Sequence, residues 1–565
     1  MYIDTIPNRD SPPCILLRES YRDNGRVKKR TLANLSALPQ SIIEGIKLLF
    51  KQGIVLENIE SVEVIESQPH GHVACLLSKA KQIGLDKLIY SRSSKQRSLS
   101  LCMIAGRLLF PGSKLSLSRN AHLSSLAKEL NLSSSTDEDD FYECLDWLYQ
   151  NQERIEKKLA SKHLENGKLI LYDISSAYLE GSTCSLAARG YSRDKRRDKL
   201  QIVFGLVCTK EGCPVSIKVF KGNTADSSTV GSLVDSLTQQ YSLSDVVIAG
   251  DRGMICNKNI KEDFRDRPVS WISALTKAQI LKLHKSKEKK LDLTSIGENE
   301  YKEITTKDFP GERIIVCKNP LVADKAVAQR KSILDSLVAK LEEIQEATNR
   351  SNKPLASKEK IGIRVGKVIK SKQKWFNLDI QEGSFSFEVN HKQLKSESLL
   401  DGIYAIRTSL PKKKGTTEDI IGYYKSLSKV EDAFRSIKTT EIKLRPIFHS
   451  REPRVKAHVF VCMLAYYLEW HLRKDWKDLL FDDEQPQRES IIRPAKPSQE
   501  AKEKYATKKN SKGIPISSFN DLIYNLSCVQ RVKMKLPVGQ GLVVERTTKL
   551  NSVQRKAIEL IGAQL

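Results

Sequence analysis

Three acidic residues could together bind a divalent metal ion. Asp173 and Asp251 each follow a short apolar segment, 168–172 and 245–249 respectively, and Glu431 lies in a predicted helix. The apolar segments are typical of buried strands, and open α/β sheets bind ligands at the carboxyl ends of their strands. A single aspartate after a strand is more often a turn residue, so the metal hypothesis depends on all three acids.

The chemistry of such a group follows from its oxygen atoms. Carboxylates brought within about 4 Å of one another cannot all stay ionised unless a cation lies between them. Oxygen-only ligands suit Mg²⁺ or Mn²⁺. Two such ions about 3.5–4 Å apart can stabilise the attacking and the leaving oxygen of a phosphodiester exchange. The three acids therefore predict metal-dependent phosphodiester chemistry, provided that the fold brings them together.

The predicted helix 419–438 carries four polar residues and one leucine along one face. At 100° per residue these groups fall within one arc of about 80°. They are Tyr424, Leu427, Glu431, Arg435 and Lys438. An adjoining apolar arc, which predicts a surface that packs on a core, is made by Val430, Ala433, Phe434 and Ile437. The alternative interpretation is an ordinary solvated face with ion pairs between successive turns.

The segments around the acids predict an α/β sheet. After the first strand, the pattern indicates two hairpin strands, a helix, a strand, a second helix and a last strand. The predicted strands are 168–172, 201–208, 215–221, 245–249 and 269–275. We expect residues 276–400 to be an insertion of mixed structure with a long charged helix, after which helix 419–438 returns to the core.

The remaining chain divides by composition and pattern. A β-rich start contains a predicted hairpin turn at 23–25 that is surrounded by basic residues, and a helical stretch follows without a helix-turn-helix signature. The basic residues of the hairpin include Arg22, Lys28, Lys29 and Arg30. The predicted units are 1–65 (basic and β-rich), 66–166 (helical), 167–275 and 401–478 (the two parts of the α/β core), 276–400 (insertion), 479–515 (linker) and 516–565 (small and basic).

Charge and cysteine usage narrow the class of protein. The 565 residues carry a formal net charge of +26, which favours a polyanion such as nucleic acid as partner. The eleven cysteines include no C-x-x-C pair, the nearest two are Cys208 and Cys213, and no histidine pairs with them at zinc-finger spacing. We therefore expect reduced thiols and no zinc site. With no signal peptide or membrane-length apolar run, we expect a soluble intracellular protein that does not associate with a membrane.

Several motifs in order resemble one enzyme family. The segments are KLILYDISSAYLEG around Asp173, VFKGNTADSSTV at 219–230, and VVIAGDRGM around Asp251. They resemble the DDE transposases of bacterial insertion sequences, in the group that has a Y-x2-R-x3-E-x6-K signature. The resemblance covers about 168–475, more than half of the chain.

The segment YKSLSKVEDAFRSIK carries the signature itself. Tyr424, Glu431 and Lys438 stand at signature positions, and Leu427 stands where the signature has arginine. Two nearby cations, Arg435 and Lys429, are candidates to replace the missing arginine.

The resemblance implies both a fold and an activity. The core would be ribonuclease H-like, with 276–400 as the family's β-containing insertion. Asp173, Asp251 and Glu431 would be the catalytic residues and would hold two Mg²⁺ ions, with Mn²⁺ tolerated. A homodimer would act on double-stranded DNA, cutting at terminal inverted repeats and joining the freed 3′-hydroxyl to target DNA. The resemblance also implies a cytoplasmic, nucleoid-associated protein of a bacterial or archaeal cell.

The expected DNA contacts lie beside the three acids. They are Tyr424, Lys438, Arg435 and Arg252. Two alternatives stay open at this point: a related metal-dependent nuclease without strand transfer, and a DNA-binding derivative that has lost catalysis.

Overall fold

The computed structural model describes residues 1–565 except 10, 24, 53–61, 266, 287–290, 484–489, 493–495 and 537–541. The strands are β1 Tyr2–Ile6, β2 Cys14–Asp23, β3 Arg26–Asn34, β4 Glu63–Pro69, β5 Leu169–Tyr178, β6 Gln201–Thr209, β7 Pro214–Lys221, β8 Val246–Ala249, β9 Val269–Ala274, β10 Tyr301–Thr306, β11 Phe309–Lys318, β12 Phe376–Gln381, β13 Ser384–Val389, β14 Ile403–Thr408, β15 Gln530–Leu536 and β16 Leu542–Thr547. The helices are α1 Gln40–Gln52, α2 Gly71–Gln82, α3 Leu85–Ile89, α4 Lys95–Leu109, α5 Lys114–Leu123, α6 Leu126–Glu129, α7 Glu138–His163, α8 Val230–Asp235, α9 Asn257–Glu262, α10 Lys277–Lys285, α11 Pro320–Thr348, α12 Lys358–Ile369, α13 His391–Ser398, α14 Thr417–Lys425, α15 Ser428–Arg435, α16 Glu452–Asp475, α17 Gln499–Thr507, α18 Phe519–Ser527 and α19 Ser552–Ile561.

A mixed eight-stranded sheet forms the centre of the protein. Its strand order is β10-β11-β14-β9-β8-β5-β6-β7. Strands β5, β8 and β9 run parallel to one another, and the other neighbours pair antiparallel. Every residue of β6 and β8 is buried, which agrees with their uninterrupted apolar sequences. The predicted α/β class is therefore confirmed as a mixed α/β fold.

Helix α16 joins the sheet to the helices that precede it. It packs against α4, α7 and β7, and nearly all of its middle residues are buried. One continuous apolar core includes Val73 and Leu145 from the helical stretch, Leu171 from the sheet and Phe460 from α16. The helices of 66–166 thus share a core with the sheet. Among the described residues, no helix has the length and apolar character that a membrane span needs.

The predicted insertion 276–400 has two parts. Strands β10 and β11 extend the central sheet by pairing with β14. Helices α11 and α12 instead pack with the β12–β13 hairpin around a second core, which contains Leu341, Ile361, Trp375 and Phe385. This part buries its own apolar residues, so it forms a subdomain attached to one edge of the sheet.

The N-terminal strands form the antiparallel sheet β1-β2-β3. Asn24, in the predicted hairpin turn, lies outside the described residues. At the other end of the chain, β15 pairs with both β16 and β4, so 516–565 shares a sheet with residues near 65. Helix α18 packs against α2 through an apolar face. The predicted linker 479–515 contains α17, in which Ala501 and Lys504 are buried.

Candidate active site

Parallel pairing of β5 with β8 brings the two aspartates together. Leu169 lies opposite Val247 and Leu171 opposite Ala249. Continuing this register by two residues sets Asp173 beside Asp251. Adjacent strands lie about 4.8 Å apart, and positions in the same register point to the same face.

The two aspartates differ in their surroundings. Asp173 is half-buried within β5, whereas Asp251 is exposed in the turn after β8. One oxygen of each carboxylate accepts a hydrogen bond from the next backbone N–H, that of Ile174 at 2.8 Å and that of Arg252 at 2.7 Å. Strand β5 continues past the predicted end at 172, so Asp173 lies in the middle of the strand and only Asp251 follows a strand end.

Helix α15 carries Glu431 over the same strands. Val430 and Ala433 are fully buried, and the edge of the Phe434 ring meets the Phe204 ring of β6 with the centroids 5.5 Å apart. These contacts dock the apolar arc predicted for this helix. Glu431 lies on the arc of the helix that adjoins these apolar residues, and it is exposed.

The charges of the three acids are coupled. Burial raises the pKa of Asp173 to about 7, and repulsion from Asp251 and Glu431 adds to the rise. The Ile174 N–H and the Arg193 guanidinium oppose this pKa rise. A carboxyl with a raised pKa beside two other acids is the electrostatic signature of a site that a cation would relieve.

The three acids do not converge on a single point in the structure. Among the described residues, the carboxylate oxygens of Asp173, Asp251 and Glu431 do not all lie within 4.8 Å of one another. A pair of ions about 3.5–4 Å apart spreads its ligands over a wider span than a single ion does. The donors are oxygen atoms only, which fits a hard divalent cation such as Mg²⁺.

Tyr424 lies beside the acids. Burial raises the pKa of its phenol to about 12, and the negative charge of Asp251 adds to this rise. The phenol therefore stays protonated at neutral pH and can donate a hydrogen bond to a phosphate oxygen.

Lys438, one of the predicted cationic DNA contacts, already interacts with other side chains of the protein. Its ammonium forms an ion pair with Asp194 at 2.5 Å and donates to the Ser175 hydroxyl at 3.0 Å. Arg445 pairs with the same Asp194 carboxylate, whose side chain is 1% exposed. The Lys438 side chain is itself 12% exposed.

The predicted arginine contacts face solvent. Arg252 is exposed in the turn after β8. Arg435 is 67% exposed, and its pair with Asp432 at 3.1 Å lies on the helix surface. Their guanidinium groups are accessible to a phosphate backbone.

Comparisons with known proteins agree with this geometry. A family model described as the transposase DDE domain matches residues 168–468. The chain belongs to the DDE transposases of bacterial insertion sequences. The N-terminal domain of the IS1634 family transposases matches residues 3–53 of this transposase. No curated protein matches the transposase.

Among solved structures, the transposase is similar to a piggyBac transposase synaptic complex with hairpin DNA, determined by cryo-EM. The two chains are 8% identical, with a TM-score of 0.35 over 81% of this chain and 76% of that chain. A score this low carries no argument about the transposase.

The sequence reasoning missed four residues around the transposase acids. Arg193 contacts both oxygens of Asp226 at 2.6 and 2.7 Å, and it is the cation whose charge lowers the Asp173 pKa. Asp194 and Arg445 complete the pairs of Lys438. The available signals were the basic run RGYSRDKRRDK at 189–199 and the aspartate of GNTAD, which the motif comparison quoted without assigning it a role.

The prediction of one continuous helix over 419–438 is wrong for the transposase. Helix α14 ends at Lys425 and α15 begins at Ser428. Between them, backbone N–H groups bond three residues back, from Leu427 to Tyr424 and from Val430 to Leu427, which tightens the chain. The Ser426 hydroxyl donates to the Gly422 carbonyl at 2.9 Å, a bond that competes with regular helix.

Leu427 lies at this break and is half-buried. It packs at the margin of the main core. The missing signature arginine is therefore replaced by a core contact.

Proposed function

We propose that this chain is a transposase that cuts DNA at the ends of its element and joins the freed 3′-hydroxyl to target DNA. The observation that carries the proposal is the β5–β8 register, which supports the meeting of Asp173 and Asp251 beneath the helix of Glu431. Family membership supports a DNA-cleaving enzyme of this kind.

We propose a ribonuclease H-like core for this chemistry. The order β7-β6-β5-β8-β9 supports it, because three antiparallel strands in hairpin succession are followed by two parallel ones. The order sets the two aspartate-bearing strands side by side at the centre of the sheet. Residues 276–400 then separate the second aspartate from the glutamate in sequence but not in space.

Asp173, Asp251 and Glu431 would hold two Mg²⁺ ions. Bound there, the metal would stabilise the negative charge that develops on the reacting oxygens of a phosphodiester. Each of the two reactions breaks one phosphorus–oxygen bond and forms another, first with water and then with the 3′-hydroxyl. Neither reaction consumes an outside source of energy.

The chain's own groups would bind and orient the DNA. Arg252 and Arg435 are exposed and would contact phosphates, and the protonated phenol of Tyr424 would donate to a phosphate oxygen. Lys438 would act through Asp194, by fixing the loop that carries Arg193 next to the acids. The net charge of +26 supports a double-stranded DNA partner, and we propose a homodimer that works on both element ends in the cytoplasm.

A strand-joining assay tests the proposal. Labelled oligonucleotides with an element end are incubated with a supercoiled plasmid, Mg²⁺ and the full-length protein. Labelled plasmid is the expected product. Cleaved oligonucleotide without joining would favour the nuclease alternative, and bound but uncut oligonucleotide would favour a non-catalytic derivative.

A further inference from the structure

A second group of metal-ligand side chains lies away from the three acids. In the part of the chain that the structure describes, the ligand atoms of His163, Cys213 and His471 all lie within 4.8 Å of one another. They come from three different elements: the last residue of α7, the β6–β7 turn and the last turns of α16. The DDE chemistry does not use these residues.

The three side chains make few competing contacts. The Nε2 atom of His471 is buried without a hydrogen-bond partner. The Cys213 thiol is buried, and its only contact of hydrogen-bonding kind in the described structure is a sulfur–oxygen distance of 4.0 Å to the carbonyl of Pro214. Buried polar atoms without partners are rare, and an unbound ligand is one of the accepted explanations.

We propose that His163, Cys213 and His471 form a binding site for a borderline or soft metal ion of the Zn²⁺ class. Thiolate and imidazole ligands select such ions over Mg²⁺. Zinc bonds of about 2.0–2.3 Å place ligand atoms roughly 3.5 Å apart, so the three groups need to close by about 1 Å. Three protein ligands leave a fourth position for water.

The surroundings supply two further features of metal sites. His163 Nε2 and the Tyr467 hydroxyl are 2.9 Å apart, a contact that orients the ring as outer-shell hydrogen bonds do at zinc sites. His163 also lines a cleft of about 390 Å³ together with Lys210 and Tyr423, so one of the three ligands borders this cleft.

Metal binding would displace one proton from this buried site. Burial lowers the pKa of His163 to about 4 and that of His471 to about 3, and it raises the pKa of the Cys213 thiol to about 12. Binding would form a sulfur–metal bond at Cys213 and release the thiol proton to solvent. Three lysines lie near the site: Lys79 pairs with Asp475, whereas Lys162 and Lys474 add positive charge.

The site would brace the helix that carries Glu431. In the same β6–β7 turn as Cys213, the carbonyl of Lys210 accepts a hydrogen bond from the Lys429 ammonium at 2.9 Å. Lys429 is in α15, two residues before Glu431. A metal ion at Cys213 would therefore fix α7, α16 and the turn on which the catalytic helix rests.

Cobalt spectroscopy tests the proposal with the full-length protein. After removal of metals with a chelator, the protein is titrated with Co²⁺, which gives a charge-transfer band only when a thiolate is bound. We expect a band that saturates at one Co²⁺ per chain and disappears on addition of Zn²⁺. No band in the wild-type protein would overturn the proposal without any variant being needed.

Matched variants assign the band to the three residues. Cys213→Ser and His471→Asn should abolish it, whereas the exposed controls Cys528→Ser and His391→Asn should keep it. Asp251→Asn should also keep it, which separates this site from the proposed Mg²⁺ site. A band of unchanged intensity in Cys213→Ser would refute the assignment. Zinc should raise the thermal unfolding temperature of the wild-type protein but not of correctly folded Cys213→Ser.

Discussion

Replacing Lys438 by methionine distinguishes a structural lysine from a DNA contact. The ammonium pairs with Asp194 at 2.5 Å and donates to Ser175 at 3.0 Å. Methionine keeps most of the apolar length of the side chain but removes both interactions. The Asp194 carboxylate, 1% exposed, then keeps Arg445 as its remaining ion-pair partner within the described structure.

The expected loss of stability follows from the burial of the Lys438–Asp194 ion pair. Removing one partner of a buried ion pair costs about 3–5 kcal/mol when the other charge is left alone. Because Arg445 stays on Asp194, we expect Lys438→Met to lower the free energy of unfolding by about 2–3 kcal/mol. The exposed Arg435–Asp432 pair provides the matched control, and Arg435→Gln should cost less than about 0.5 kcal/mol.

The assay combines urea unfolding with DNA binding. Tryptophan fluorescence gives the free energy of unfolding, and titration of element-end DNA at several salt concentrations gives the slope of log affinity against log salt. Arg435→Gln should reduce that slope by about 0.9, the value for one phosphate contact, while Lys438→Met should leave it unchanged. Unchanged stability of Lys438→Met together with a reduced salt slope would refute the structural role and restore Lys438 as a phosphate contact.

Three other outcomes are expected. Mg²⁺-dependent cleavage should fall by more than about 10³-fold in each of the variants Asp173→Asn, Asp251→Asn and Glu431→Gln. Gel-shift assays should show little change in their DNA binding. If a variant still cleaves DNA, its residue is not catalytic. Leu427→Arg should lower the free energy of unfolding in urea by about 1–2 kcal/mol, because the core contacts of a half-buried leucine are lost while the guanidinium reaches solvent. Unchanged stability together with faster end cleavage would show that Leu427 faces the DNA. Affinity for element-end DNA should fall at least about 10-fold between 50 and 200 mM salt. An affinity that does not change with salt would show that the net charge of +26 does not contribute to DNA binding.

Local sequence patterns predicted most strands of the central sheet. The apolar runs correspond to β5, β6 and β8, and the turn between β6 and β7 lies between the predicted hairpin strands 201–208 and 215–221. Gly212 adopts φ +91°, a conformation that suits glycine. These features depend on residues within a few positions of one another, so the sequence contains enough information to predict them.

Predictions that depended on distant partners were less successful. The helix over 419–438 has the expected periodicity, but the break at Ser426 and Leu427 depends on how α14 and α15 each pack on the sheet. The segment 516–565 resembles a separate module in composition, yet β15 completes a sheet with β4. Composition does not reveal which two strands will pair.

For the candidate site, sequence by itself selected the residues that we propose to carry the chemistry. Motif order and residue type selected Asp173, Asp251 and Glu431, because each lies in a short segment with a pattern that the sequence shows. Tertiary structure alone decided the β5–β8 register, the pairing of Lys438 with Asp194, and the meeting of His163, Cys213 and His471. Such contacts join residues that are far apart in the chain. They depend on how helices and strands bury their apolar faces against one another, and the spacing of residues within one segment does not determine that packing.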